Sequence, residues 1–462
     1  MSGGRRRSLI AALLLSSGLT SCSGTDGATT VAPDRRDSDA SISTSISTSI
    51  STSTTAAAAA AAAPTTTPPT EPPTAAPPTT AAPPTTAAPA AATELPADAD
   101  LLADPPDPAG TAPGDLLRYQ RITTPLGGLL VPNDLWRVMY TSTDTNGSPI
   151  LVTGLVRVPM DRPAPPNGRP VVTWAHGTTG TADTCSPSRR LDAPPVPDPF
   201  VNDGFVVAAT DYAGLGTPGP HPYFDGASAG RAVLDIVTAA GHLPGVTIAP
   251  QFAIWGHSQG GHAALFAREL AAQRLPAHQL IGTVALAPPS LVKDTMTAIL
   301  VALQPKGFAA MTVAGIAATH PDAELTDILI PAAAEAIGTL VETECAAGID
   351  RALGLFGNTD IVVANPNQIE PWATYLQAAE PAMAAGAGPL LLIHSIDDRT
   401  VPAFMSAVVE MRTCSRGEPT VRWVLGSGGH NGIIGLTFDL DRQWTLDRFA
   451  GVPAPSNCAS GG

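Results

Sequence analysis

Positive charge is scarce in this chain. Over 462 residues it carries 25 Lys and Arg against 40 Asp and Glu, a formal net charge of −15. That balance argues against nucleic acid as a partner and against a basic face for docking on a membrane. Metal-binding patterns are missing as well. There is no HExxH and no clustered Cys/His spacing, so neither a metal nor a cofactor is expected. Cysteines number five. The apolar run near the N-terminus, Leu9 to Leu19, is too short to span a bilayer.

What is present at the N-terminus is a targeting pattern over residues 1–22. Arg5, Arg6 and Arg7 precede the apolar run, and Leu19-Thr20-Ser21-Cys22 ends it. Small residues before a cysteine resemble the lipobox of bacterial lipoproteins, which implies cleavage before Cys22 and lipid on its sulfur; an ordinary signal peptide is the alternative. Residues 23–112 form a low-complexity stretch of Ser-Ile-Ser-Thr repeats, an alanine run and Pro-Thr-Thr units. No apolar periodicity appears there, so an extended, disordered stalk is expected. The chain is thus expected to be exported and held at the outer face of a membrane. Its oligomeric state is not legible.

A folded domain is expected over 113–462. Trp136–Tyr140 and Ile150–Val156 read as strands, with a hairpin signal at Thr145-Asn146-Gly147. The unbroken apolar runs Pro170–Ala175, Phe205–Thr210, Ile281–Ala287, Pro389–His394 and Val421–Leu425 suit buried parallel strands. Helix-like stretches alternate with them, the first from about Gly230 to Ala240. The pattern predicts an α/β fold, a mostly parallel sheet flanked by helices. A long Ala-rich, helix-like span at about 290–386 interrupts the alternation. It is expected to cap the carboxyl ends of the strands, where ligands bind in such sheets.

The stretch Phe252–Ala264 organises the rest. It reads as strand, tight turn and helix, with G-x-S-x-G at Gly256–Gly260 and Ser258 in the middle, the nucleophile elbow of an α/β-hydrolase. A second match, Gly226–Gly230, follows Pro218, Pro220 and Pro222, which do not suit a central strand; Ser228 is placed near a helix start instead. A serine hydroxyl needs an imidazole base, and the imidazole needs a carboxylate. On this fold they follow the serine as acid and then His. His430 lies in a Gly-rich loop after the last strand. Asp397 and Asp398 lie after the strand ending at His394; spacing to Val401-Pro402 favours Asp398, with Asp397 as a turn or cap residue. The oxyanion donors are the backbone N–H of Gln259 and that of Thr178, with Gly177 as fallback, in His176-Gly177-Thr178-Thr179-Gly180. His176 reads as a structural hydrogen-bonding residue under that loop.

These pieces resemble the secretory lipase family of α/β-hydrolases, the yeast lipase A type. The matching segments are Trp174–Gly180, Asp211–Gly216, Gly256–Gly261, Ala287–Pro289, Asp398–Pro402 and Gly429-His430. The resemblance implies carboxylic-ester hydrolysis, a helical cap between elbow and acid, and the acid at Asp398. Cys185, Cys345, Cys414 and Cys458 remain after Cys22, and four cysteines in an exported domain allow three pairings. A family segment similar to Asp183–Ser188 is bridged to the cap, which implies Cys185–Cys345 and leaves Cys414–Cys458. The expected function is a serine esterase or lipase acting on an ester or lipid substrate. The alternatives are acyl transfer or peptidase activity by the same triad, or a non-catalytic binding protein on a hydrolase fold.

Overall fold

The computed structural model describes residues 91–122, 133–159, 161–190, 198–301, 306–354 and 361–458. Cys22, the targeting segment and residues 23–90 of the expected stalk lie outside these. Ten strands form one sheet: β1 (Thr93–Glu94), β2 (Leu116–Ile122), β3 (Asn133–Thr143), β4 (Pro149–Pro159), β5 (Arg169–Ala175), β6 (Val206–Thr210), β7 (Ile248–His257), β8 (Gln279–Leu286), β9 (Leu390–Ser395) and β10 (Thr420–Leu425). Their order is β1-β2-β3-β4-β6-β5-β7-β8-β9-β10. From β6 to β10 every pairing is parallel, while β2, β3, β4 and β6 pair antiparallel. The fold is therefore the expected α/β-hydrolase type.

The apolar runs are unbroken because the central strands are covered on both faces. Along β5 and β7 alternate side chains go to opposite layers. Val171, Ala175, Phe252 and Ile254 pack with helices α2 (Gly226–Gly241) and α3 (Gln259–Arg274). Val172, Trp174, Ala253 and Trp255 pack with α1 (Asp198–Asn202) and α11 (Gly429–Phe449). Helix α2 starts at Gly226, earlier than the Gly230 expected, because the Asp225 side chain accepts from the Ser228 N–H and caps it.

Residues 91–112, assigned from sequence to the stalk, are ordered in the structure. Leu101 is buried against Met139 and Leu151. The tie is polar and comes from β2. Gln120 Nε2 donates to the Pro96 and Ala99 carbonyls, each at 2.7 Å, and the Arg118 guanidinium donates to the carbonyls of Leu101, Ala103 and Asp104. A strand reading Leu-Leu-Arg-Tyr-Gln-Arg-Ile shows no clean alternation, so neither it nor the segment it clamps was legible.

Between β8 and β9 lie α4 (Val292–Val301), α5 (Gly307–Thr319), α6 (Leu325–Ile328), α7 (Pro331–Thr343), α8 (Ala346–Leu353) and α9 (Trp372–Ala378). They share their own apolar core, including Met296, Met311, Ile328, Ile337, Ile349 and Trp372. Disulfide Cys185–Cys345 fastens this block to the loop after β5, and Cys414–Cys458 ties α10 (Phe404–Ser415) to the C-terminal segment.

Candidate active site

Strand β7 ends at His257 and α3 begins at Gln259, so Ser258 makes the whole turn alone. Its backbone sits at φ 56°, ψ −120°, a left-handed conformation that costs a non-glycine residue about 1–3 kcal/mol. The Ser258 N–H donates to the Leu286 carbonyl at 2.9 Å, which pins the turn to β8. The flanking glycines answer a steric demand. A Cβ on Gly256 would lie 2.0 Å from the Gly260 carbonyl oxygen, and one on Gly260 would lie 1.8 Å from that of Ala175.

Three side chains from three separate segments converge at this turn. Ser258 Oγ lies 2.8 Å from His430 Nε2, and His430 Nδ1 lies 2.7 Å from Asp398 Oδ2. The Nδ1–H therefore donates to the carboxylate, and Nε2 accepts from the serine hydroxyl. His430 stands in the first turn of α11, after Gly428 (φ 136°) and Gly429 (φ 60°). Asp398 is satisfied on both oxygens. Its Oδ1 accepts from the Thr400 and Val401 N–H groups at 2.8 and 2.9 Å, and His394 Nε2 lies 3.4 Å from Oδ2. Burial alone would push the Asp398 carboxyl up. The hydrogen bonds from His394, His430 and the Val401 N–H together outweigh that and hold it well below the usual carboxylate range. Asp397 points elsewhere. It accepts from Ser395 Oγ at 2.5 Å and from the Gly429 N–H at 2.7 Å, so it caps α11 and joins the acid loop to the base loop.

The loop after β5 runs beside the serine. A Cβ on Gly177 would lie 3.6 Å from Ser258 Cβ. His176 is buried under it, its Nδ1–H donating to the Gly177 carbonyl at 2.7 Å. On the other flank, the Gln259 side-chain amide donates to His221 Nε2 at 3.0 Å, while His221 Nδ1–H donates to the Ala213 carbonyl at 2.8 Å. His257 Nε2–H donates to the His430 backbone carbonyl at 2.9 Å. Burial, and next the neighbouring His430, push His257 down to about 4; burial pushes His221 down to about 4. Both are neutral donors near neutral pH. Sequence reasoning missed these two and Tyr223. The Pro-rich context of 218–222 hid His221 and Tyr223, and His257 reads only as the variable position before the serine. Ser228 lies in the first turn of α2 with its hydroxyl buried and unpartnered.

Over Ser258 opens an apolar cleft of about 520 Å³, counting its solvent-open part, with walls from Tyr223, Phe224, Met296, Phe308, Ala309 and Met405. Four of these lie between β8 and β10 in sequence, three of them in or beside α4 and α5. Among the described residues no group of three or more His, Cys, Asp or Glu is placed to hold a metal.

Residues 197–369 match the family model described as secretory lipase. Lipase A of Moesziomyces aphidis is 25% identical over 234 residues, 47% of this chain and 49% of that protein. The chain thus spans about half the length of that relative. A protein of Mycobacterium tuberculosis named as a probable inactive lipase is 24% identical over 386 residues, 78% of this chain and 83% of that one. Among solved structures, Candida antarctica lipase A in its closed state superposes with TM-score 0.64 at 20% identity, covering 77% of this chain and 86% of that one. A rice cell wall degrading esterase of Xanthomonas oryzae superposes with TM-score 0.61 at 19% identity, covering 73% and 98%. At such identities the superpositions speak for the fold alone.

Proposed function

We propose that the chain is a member of the secretory lipase family, whose model matches residues 197–369, and that it hydrolyses carboxylic esters through Ser258, His430 and Asp398. The observation that carries this reading is the unbroken hydrogen-bond line Ser258–His430–Asp398 at the strained turn. Ser258 Oγ attacks the ester carbonyl carbon while its proton passes to His430 Nε2. Asp398 holds the imidazole tautomer and stabilises its charged form. The carbonyl oxygen becomes an oxyanion facing the N–H groups of Gln259 and Thr178 and the start of α3, which favours negative charge. His430 returns the proton to the leaving alkoxide, giving an alcohol and an acyl-enzyme. Water, deprotonated by His430, then releases the acid.

The substrate is an ester whose acyl chain fits the apolar cleft. Each methylene buried there contributes about 0.8 kcal/mol. Two disulfides suit an oxidising compartment outside the cytoplasm, in keeping with export. Anchoring through a lipid on Cys22 is the finer part of the proposal. A mature protein whose mass starts at Cys22 and includes the lipid is expected; an unmodified Cys22 would refute it.

A second reading, a non-catalytic binder, is favoured by the name of the mycobacterial relative. Labelling with an organophosphonate ester separates the two. The label is expected on Ser258, with ester turnover lost in Ser258→Ala and little changed in Ser228→Ala. Unlabelled protein that turns over no ester in a chain-length panel points to the binder.

A further inference from the structure

Tyr223, a wall residue of the cleft, meets a second hydroxyl. Thr178 Oγ1 and Tyr223 Oη lie 2.7 Å apart. Neither has another hydrogen-bond partner among the described residues. Two hydroxyls carry two protons, and the bond between them uses one. Whichever way that bond runs, one O–H is left without an acceptor. It belongs to a pair that flanks the serine, since Tyr223 lines the same cleft as Ser258 and Thr178 follows Gly177, the residue packed on Ser258.

The pair is held in place with care. Tyr223 is buried, and its N–H donates to the His221 carbonyl at 2.8 Å. Its ring centroid lies 4.5 Å from that of Phe224. Helix α5 presses on its backbone at Gly315, where a Cβ would lie 2.7 Å from the Tyr223 nitrogen. Burial pushes the Tyr223 hydroxyl far above the usual phenol range, so it remains a proton donor.

We infer that the Thr178 side chain, oriented by Tyr223, is a third hydrogen-bond donor to the reaction's oxyanion. The inference rests on the ester-hydrolase reading given above. A threonine hydroxyl sits roughly 3–4 Å from its own backbone nitrogen in the staggered rotamers. An oxygen that accepts from the Thr178 N–H is therefore within reach of its Oγ1–H as well. With Tyr223 donating to Oγ1 and Oγ1–H donating to the oxyanion, the two dipoles align and each bond strengthens the other. The free proton of the resting pair finds its acceptor only when charge develops on the substrate, which is the condition for lowering the barrier rather than tightening substrate binding.

The test compares kcat and KM for p-nitrophenyl butyrate in the wild type, Thr178→Val, Thr178→Ser and Tyr223→Phe, with melting curves to establish folding. Thr178→Val keeps the shape and the backbone N–H but removes the hydroxyl. Its kcat is expected to fall by about 100-fold with KM little changed, the scale of losing one oxyanion donor. Thr178→Ser should recover most of the loss. Tyr223→Phe should lose less than Thr178→Val, because Thr178 keeps its own proton. A trifluoromethyl ketone, whose adduct with the serine carries an oxyanion, should bind Thr178→Val more weakly by a factor matching the fall in kcat/KM. A folded Thr178→Val with wild-type kcat, or a loss confined to KM, overturns the inference while Ser258 still takes the phosphonate label. Ester turnover surviving in Ser258→Ala overturns the underlying reading and this inference with it.

Discussion

Ser258 holds its turn because the residues two before and two after it, Gly256 and Gly260, lack side chains, and the two adjacent aspartates divide their work because successive side chains leave the backbone in different directions. Asp398 turns inward to His430, whereas Asp397 turns to the first N–H of α11. The consequences of removing each charge differ accordingly. Asp398→Asn leaves an amide where the imidazole needs an acceptor for Nδ1–H and favours the wrong tautomer, so kcat should drop by about 10⁴-fold. Asp397→Asn retains an oxygen that accepts from the Gly429 N–H, and we expect a loss below about ten-fold, the scale of a helix cap worth roughly 1 kcal/mol. Steady-state kinetics on one soluble ester decides it. If Asp397→Asn proves the worse variant, the acid has been assigned to the wrong residue. From the sequence, spacing favoured Asp398 without excluding Asp397; only the direction of the two side chains separates them.

The helices between β8 and β9 act as an element in their own right. They have a separate apolar core, yet they are fastened to the loop that carries Thr178. Cys345 is bonded to Cys185 and paired in a β-bridge with Gly180, and the Ala346 N–H donates to the Thr179 carbonyl at 3.1 Å. The loop that carries Thr178 and this helical block are therefore one mechanical unit at this corner. Helix α5 faces two spaces. Ala309 is fully buried and lines the cleft over Ser258, while Ala317, two turns on, lines a separate cavity beside His221. Bulk at Ala309 should therefore shorten the acyl site, and bulk at Ala317 should not. In Ala309→Leu, and more steeply in Ala309→Trp, kcat/KM for octanoate esters is expected to fall by more than ten-fold relative to acetate esters, about two methylenes' worth of burial. Ala317→Trp should keep the wild-type profile. A chain-length series measures this, and equal losses at every length in the Ala309 variants would mean that the cleft does not hold the acyl chain. The sequence marked this span as helical and apolar, but Ala309 and Ala317 look alike in it. Which helix face meets which cavity depends on how α5 is rotated against the sheet.

At the scale of the whole molecule, three buried histidines contribute to the response to acid. His221, His257 and His262 are each pushed down to about 4, burial being the largest cause in every case. In the unfolded chain they titrate near the ordinary value of about 6.5. Between about pH 4 and 6.5 the unfolded state thus binds more protons, so stability rises with pH across that window and is lost on acidification through it. Asp441 acts in the opposite sense. Burial raises it to about 7, so it keeps its proton in the fold and its contribution is lost as pH rises through that value. The share of stability that the three histidines contribute is thus lost in acid. His262→Gln keeps a donor for the Ala379 carbonyl that His262 bonds at 2.7 Å. It should reduce the slope of unfolding free energy against pH by about one proton, roughly 1.4 kcal/mol per pH unit. Urea denaturation from pH 4.5 to 6.5 measures the slope, and an unchanged slope would mean that His262 does not titrate on unfolding.

The sequence by itself determined what depends on neighbouring residues. The turn at Ser258 is marked by Gly256 and Gly260 on either side of it, and a Cβ placed on Gly256 would strike the Gly260 carbonyl four residues on. The parallel strands follow from unbroken apolar runs, and the order of the site residues follows from loops that succeed those strands. The tertiary structure decided everything that depends on distance through space. It joins Ser258 to His430 across 172 positions and Thr178 to Tyr223 across 45. It orders residues 91–112 through Arg118 and Gln120, and it gives Ala309 and Ala317 different cavities. Steric exclusion acts over a few bonds and leaves its mark on local composition. A hydrogen bond between distant loops needs only a donor and an acceptor brought within about 3 Å, and many pairs along the chain could supply those groups.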